Sequence, residues 1–182
     1  VPGGPLTAVF EALQERSKIK FVMAKHEGGA AFMAASYARV SRKLGVVCGT
    51  SGPGATNALT GVASAHADSV PVLLLTGQVA TTAFGTGAIQ ESSVFGLDLV
   101  SLFRPVTKLS AMFPSVERVP DVMRHGIRTA LAGRPGAVQL NMPANMLHAE
   151  LAFPPLEPHR YRSANQVLDI DAATDLGERL RR

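Results

Sequence analysis

One acid, Glu27, heads the stretch His26-Glu27-Gly28-Gly29-Ala30-Ala31-Phe32-Met33-Ala34-Ala35-Ser36-Tyr37-Ala38-Arg39, which is otherwise rich in small residues. Wound as a helix, the stretch puts Glu27, Ala30, Ala31, Ala34 and Ala38 on one face. A backbone or a flat ligand can then approach closely, with the carboxylate at the N-terminal edge. That geometry suits a buried acid facing a partner. The competing reading is a surface acid in a first turn, favoured there by the helix dipole.

A second chemical candidate is Gly49-Thr50-Ser51-Gly52-Pro53-Gly54-Ala55-Thr56. It nearly spells a phosphate-binding loop, but Ala55 stands where the lysine belongs, so a nucleoside triphosphate is poorly served. A nucleophile elbow fails as well, because Gly52 and Pro53 follow Ser51 where the pattern wants a final glycine. His26-Glu27 lacks a second histidine one turn later and is no zinc helix. What remains is a Gly/Pro turn that lets a ligand reach backbone groups at the carboxyl end of a strand, where ligands of open α/β sheets bind.

The elements that must position these residues follow from the apolar pattern. A turn at Val1 to Pro5 leads into a helix carrying Leu6, Val9, Phe10 and Leu13 and running to about Arg16. A strand is expected to end just before Val1. Phe21-Val22-Met23-Ala24 and Leu44 to Cys48 read as strands on either side of the Glu27 helix, which makes a parallel crossover unit. A small-residue helix spans Ala55 to about Ala67. Val70 to Leu75 is continuously apolar, as in a central strand covered on both faces. Residues 77–96 read as a long functional loop, and Val106 to Leu109 as an edge strand. Ser115 or Pro120 opens a helix through Val122, Ile127 and Leu131, which Gly133-Arg134-Pro135-Gly136 ends ahead of a last strand, Ala137 to Asn141. The fold class is therefore α/β, a doubly wound, mostly parallel sheet between helix layers. This unit is expected over residues 1–150. A proline-rich linker over 151–168 follows, and then, over 169–182, the start of a further domain whose helix Asp169 or Asp171 caps.

At 182 residues, 46% hydrophobic and 18% charged, the chain has enough apolar sequence for one full core. Its net charge of +4 comes from scattered Lys and Arg without interleaved aromatics, which argues against nucleic acid. No apolar run reaches membrane-spanning length. The single cysteine, Cys48, allows no internal disulfide and fits a reducing, cytoplasmic location. Both ends read as cuts, so that a targeting segment before Val1 stays open.

Taken together, His26-Glu27 with Ala30, Ala34, Tyr37, Ala38 and Arg39, then Thr50 to Asn57, Asp68-Ser69-Val70-Pro71 and Thr76-Gly77-Gln78-Val79 resemble the pyrimidine-binding domain of thiamine-diphosphate enzymes. The resemblance covers most of the first 145 residues. Within that family the acetolactate synthase (acetohydroxyacid synthase) group is the nearest in appearance, through Gly85-Thr86, Gln90-Glu91, Val106-Thr107-Lys108 and Gly133-Arg134-Pro135-Gly136.

The resemblance implies a role for each matching position. Glu27 is to hydrogen-bond the ring nitrogen of the aminopyrimidine and favour the imino tautomer that takes the thiazolium proton. Pro2 and Gly3 are to line the aminopyrimidine, with Thr50, Pro53 and Asn57 beside it and Gln90 on the substrate side. A thiamine-diphosphate enzyme that decarboxylates a 2-oxo acid and passes the two-carbon unit to an acceptor is thereby implied, working as a homodimer or homotetramer. Magnesium and the diphosphate belong to a second domain of a facing subunit, whose Gly-Asp-Gly signature and paired asparagines do not occur in this sequence. A flavin (FAD) in the parent stays open. Gly87-Ala88-Ile89 stands where acetolactate synthases usually show an acid, Ala and Phe, which leaves the substrate open. The alternatives are a simple 2-oxo acid decarboxylase and a non-catalytic dimerisation or regulatory module of the same fold. A dinucleotide-binding dehydrogenase is disfavoured because the glycine fingerprint and its following acid are missing.

Overall fold

The computed structural model describes residues 2–15, 19–154, 157–158 and 170–180. Among these, four strands form one sheet, every pair parallel: β1 (Gly45–Gly49), β2 (Val72–Gln78), β3 (Leu109–Met112) and β4 (Val138–Pro143), in the order β1-β2-β4-β3. The helices are α1 (Thr7–Gln14), α2 (Glu27–Ser41), α3 (Pro53–Ala67), α4 (Leu99–Phe103), α5 (Val119–Leu131), α6 (Ala144–Leu147) and α7 (Ile170–Leu180). Every residue of β2 and of β4 is buried, as strands with helices on both faces require.

Two cores flank the sheet. On one side Val72 and Leu74 meet Ala31, Ala34, Ala55, Ala58, Val62, Leu99 and Phe103, from α2, α3 and α4. On the other, Leu73, Leu75, Val138 and Leu140 meet Leu6, Phe113, Ala130 and Ile127. This is the doubly wound α/β architecture that the apolar pattern predicts.

Small residues let α2 and α3 come close. A Cβ added at Gly61 would stand 2.6 Å from the Ala31 Cβ, and one at Gly28 would stand 3.1 Å from the Asn57 carbonyl oxygen. The buried face of α2 is Glu27, Ala31, Ala34 and Ala38, as its spacing predicts. His26 starts the helix, its Nδ1 accepting from the Gly28 amide at 3.1 Å. Burial pushes the Cys48 thiol on β1 up to about 11, so it stays protonated at neutral pH.

Several expected boundaries move. Phe21 to Ala24 is not a strand: Phe21, Val22 and Met23 are 43%, 59% and 59% exposed and pair with no strand. The Phe21 ring instead lies against Phe10 of α1, with centroids 5.4 Å apart, so α1 takes up the apolar side chain that seemed to belong to the sheet. The edge strand β3 begins at Leu109, because residues 104–106, Pro105 among them, form a 3-10 turn and the buried Thr107 hydroxyl donates to the Phe103 carbonyl at 2.7 Å. β2 runs on through Gln78, which shortens the long loop at its start. Pro120 lies in the first turn of α5, after a 3-10 turn at Val116–Arg118. Asp171 lies in the first turn of α7. Arg16, Asp169 and most of the expected linker lie outside the described residues.

Candidate cofactor site

Glu27 is the first residue of α2, and α2 leans on α3 so that Glu27 is 7% exposed. Asn57, in the second turn of α3, donates from Nδ2 to Glu27 Oε2 at 3.1 Å. The other oxygen, Oε1, looks toward Gly54, where an added Cβ would come within 3.3 Å of it. Oε1 has no hydrogen-bond partner among the described residues.

Thr50 closes the group. A Cβ at Gly54 would meet its Cγ2 at 2.5 Å, and one at Gly3 would meet its Cβ at 2.4 Å, so Thr50 is clamped between the two glycines. Its Oγ1 is buried and has no hydrogen-bond partner, a state a buried hydroxyl rarely keeps. Gly3, Glu27, Thr50, Gly54 and Asn57 therefore meet from three separate stretches of chain, beyond the carboxyl end of β1 and at the start of α2 and α3. Ligands of open α/β sheets bind in such crevices.

The remaining sequence candidates are placed less directly. Pro53 is the first residue of α3 and is exposed, while Pro2 is exposed beside Gly3 on a groove that Thr7 and Phe10 also line. Each joins the group through its neighbour, Gly54 or Gly3. Gln90 is exposed and holds φ at +59°, with its Cβ 3.3 Å from where a Cβ on Gly52 would stand, and so sits against the turn that carries Pro53. Glu91 faces inward instead, its Oε1 accepting from the Gly85 amide at 2.9 Å and from the Ser93 hydroxyl at 2.5 Å. It shapes the loop.

Other members of the same motifs gather at the opposite, amino ends of the strands. Arg39 pairs with Asp68 at 2.6 Å, tying α2 to α3. Arg134 donates to the Ser69 hydroxyl at 2.6 Å and to the Ala67 carbonyl at 3.1 Å, and Lys108 Nζ donates to the carbonyls of Ala132 and Arg134. These residues close loops and take no part in the Glu27 group. The spacing of the motifs does not separate the two kinds, since both fall in Gly- and Ser-rich turns. Ser92, which the sequence does not single out, is drawn in by contacts between distant segments.

A nearly buried carboxylate with one oxygen held and the other without a hydrogen-bond partner suits a flat, uncharged heterocycle that offers a donor. The unpartnered Thr50 hydroxyl beside it fits such a ring. None of the five residues that meet here carries a positive charge, and among the described residues no group of three or more His, Cys, Asp or Glu could hold a metal ion. No helix among them is long and apolar enough to cross a membrane.

Comparison with known proteins gives the family. The family described as thiamine pyrophosphate enzyme, N-terminal TPP binding domain, matches residues 1–99. The mitochondrial acetolactate synthase catalytic subunit of Saccharomyces cerevisiae is 44% identical over 153 residues, covering 84% of this chain and 22% of that protein. The acetolactate synthase large subunit of Corynebacterium glutamicum is 39% identical over 181 residues, covering 97% of this chain and 28% of that protein. The chain thus spans about a quarter of the length of these relatives. Among solved structures, benzoylformate decarboxylase from Polynucleobacter necessarius superposes with a TM-score of 0.82 at 21% identity, over 98% of this chain and 32% of that one, a likeness of fold.

Proposed function

The chain belongs to the thiamine pyrophosphate enzymes, as their N-terminal cofactor-binding domain, and on that premise we propose that the full-length protein is an acetolactate-synthase-like enzyme. It decarboxylates a 2-oxo acid and transfers the two-carbon unit to an acceptor. The observation that carries this reading is Glu27, buried, its carboxylate held on one oxygen by Asn57 and without a hydrogen-bond partner on the other. A module kept only for dimerisation has no use for an acid in that setting.

Glu27 and Thr50 would hold the aminopyrimidine of thiamine diphosphate, with Pro2, Gly3, Pro53 and Asn57 around it. When bound, the coenzyme supplies the carbanion chemistry at its thiazolium carbon. Glu27 Oε1 would be the atom that exchanges a proton with a ring nitrogen. Asn57 would fix the carboxylate through Oε2 and so leave Oε1 for the ring. In such a dry place a hydrogen bond to a carboxylate is stronger than in water. Gln90 stands on the substrate side.

The diphosphate and its magnesium are assigned to a domain of a facing subunit in a homodimer or homotetramer, because the residues that meet around Glu27 offer them neither cations nor a ligand cluster. No step here runs through a flavin. We take residues 1–150 as the folded unit, 151–168 as a linker and 169–182 as the start of a middle domain. The single cysteine, Cys48, is compatible with a reducing, cytoplasmic place of work.

The test is Glu27→Gln in the full-length protein, assayed with thiamine diphosphate, magnesium and pyruvate. General acid-base groups contribute about 10² to 10⁴ in rate, and a loss of that size is expected while circular dichroism and the melting curve stay unchanged. A turnover within about threefold of the parent would remove Glu27 from the mechanism.

A further inference from the structure

Ser92 is 1% exposed and uses its hydroxyl twice. The oxygen accepts from the Gly52 amide at 2.9 Å, and the hydroxyl donates to the Gln90 carbonyl at 3.0 Å. Its own amide donates at 3.0 Å to Gln78 Oε1, which also accepts from the Val79 amide at 2.9 Å. Gln78 is completely buried at the carboxyl end of β2. A single serine thus joins the end of a central strand, the turn that opens α3 and the loop that carries Gln90.

The geometry at both ends of this bridge is unusual. Gly52 has φ +58° and ψ −117°, and Gln90 holds φ at +59°, a left-handed conformation that a glutamine rarely adopts without support. The Gln90 Cβ rests against the Gly52 Cα, and Thr50 and Pro53 flank Gly52 in the same turn. The distance between Gln90 and the Glu27 crevice is therefore set where the Ser92 hydroxyl ties loop to turn.

We infer that Ser92 is a positioning residue: by pinning the Gln90 carbonyl to the Gly52 turn, it holds the Gln90 side chain toward the 2-oxo acid. This rests on the reading that Gln90 faces the substrate. Alanine at 92 removes both bonds at once and leaves the buried Gly52 amide without an acceptor. The loop then no longer dictates the left-handed conformation of Gln90, and its side chain samples positions away from the substrate. Threonine keeps the hydroxyl and with it the bridge.

The experiment uses the full-length enzyme with thiamine diphosphate, magnesium and pyruvate, and reads KM and kcat for Ser92→Ala, Ser92→Thr, Gln90→Ala and the Ser92→Ala/Gln90→Ala double variant. Loss of a hydrogen bond of ordinary strength corresponds to a rise in KM of about five- to tenfold for Ser92→Ala, with kcat within about twofold. Ser92→Thr should bring KM back to within about twofold of the parent, and adding Ser92→Ala to Gln90→Ala should raise KM by less than about twofold, since both act through one side chain. If Ser92→Ala does not fold, Ser92→Cys, with its weaker donor, replaces it in the same comparison. An unchanged KM for Ser92→Ala beside a raised KM for Gln90→Ala overturns the bridge and leaves Gln90 in place. An unchanged KM for Gln90→Ala overturns the placement of Gln90, and the inference with it. Fully additive effects in the double variant show that Ser92 does not act through Gln90.

Discussion

At the scale of single residues the account turns on how one carboxylate is held. Glu27 Oε2 takes a hydrogen bond from Asn57, and Oε1 has no hydrogen-bond partner among the described residues. Hydrogen bonds to charged groups contribute about 1.5 to 3 kcal/mol, and the low end applies here because Asn57 is itself exposed. Asn57→Ala in the full-length protein should therefore slow turnover by about tenfold, the rate equivalent of that energy, and lower the melting temperature only slightly. Steady-state kinetics beside a melting curve check this, and an unchanged kcat would show that Asn57 does not orient the acid. Glu27 is legible in the sequence because an acid among alanines and glycines is conspicuous. Ser92 is not, since its hydroxyl acts on an amide 40 positions away, and no local pattern marks a contact of that range.

At the scale of elements, the legible parts are those whose pattern is long and whose burial is complete. β2 begins as a continuous apolar run, Val72 to Leu75, because helices cover both its faces. α2 and α3 read as small-residue helices because they must pass close to each other and to the sheet. Phe21 to Ala24 misled because an apolar run of that length does not say whether it meets a strand or a helix, and here Phe10 claims the Phe21 ring. β3 shifted because Pro105 and the Thr107 side-chain bond hold the chain in a turn up to the strand.

The close approach around α2 has an energetic consequence. Ala34 is buried in the core between α2 and the sheet, and its carbonyl oxygen lies so near Gly45 that a Cβ there would stand 2.2 Å away. Ala34→Leu should overpack this contact and destabilise the protein by roughly 1 to 3 kcal/mol. Val40, on the same helix but 85% exposed, gives the control, and Val40→Ala should change stability by no more than about 0.5 kcal/mol. Urea denaturation of the three proteins measures both, and coincident curves for Ala34→Leu and the parent would mean that this face of α2 is not packed as described.

At the scale of the whole molecule, the chain carries one wall of a site. On the proposed reading the Glu27 group takes the uncharged ring of the cofactor, and no group of three or more His, Cys, Asp or Glu that could hold a metal ion occurs among the described residues. Apolar side chains also stand outward near this wall, with Phe32, Met33, Tyr37 and Val40 on α2 and Ile89, Val94 and Phe95 on the long loop. Exposed apolar surface of this kind marks contact with further protein, and the relatives are about four times as long as this chain. The central claim is that this domain holds the pyrimidine end of the cofactor while a domain of a facing subunit holds the rest. Calorimetric titration of this chain alone with thiamine diphosphate and magnesium tests it most directly: no binding tighter than millimolar is predicted, and micromolar binding would show a complete site within these residues and contradict the account.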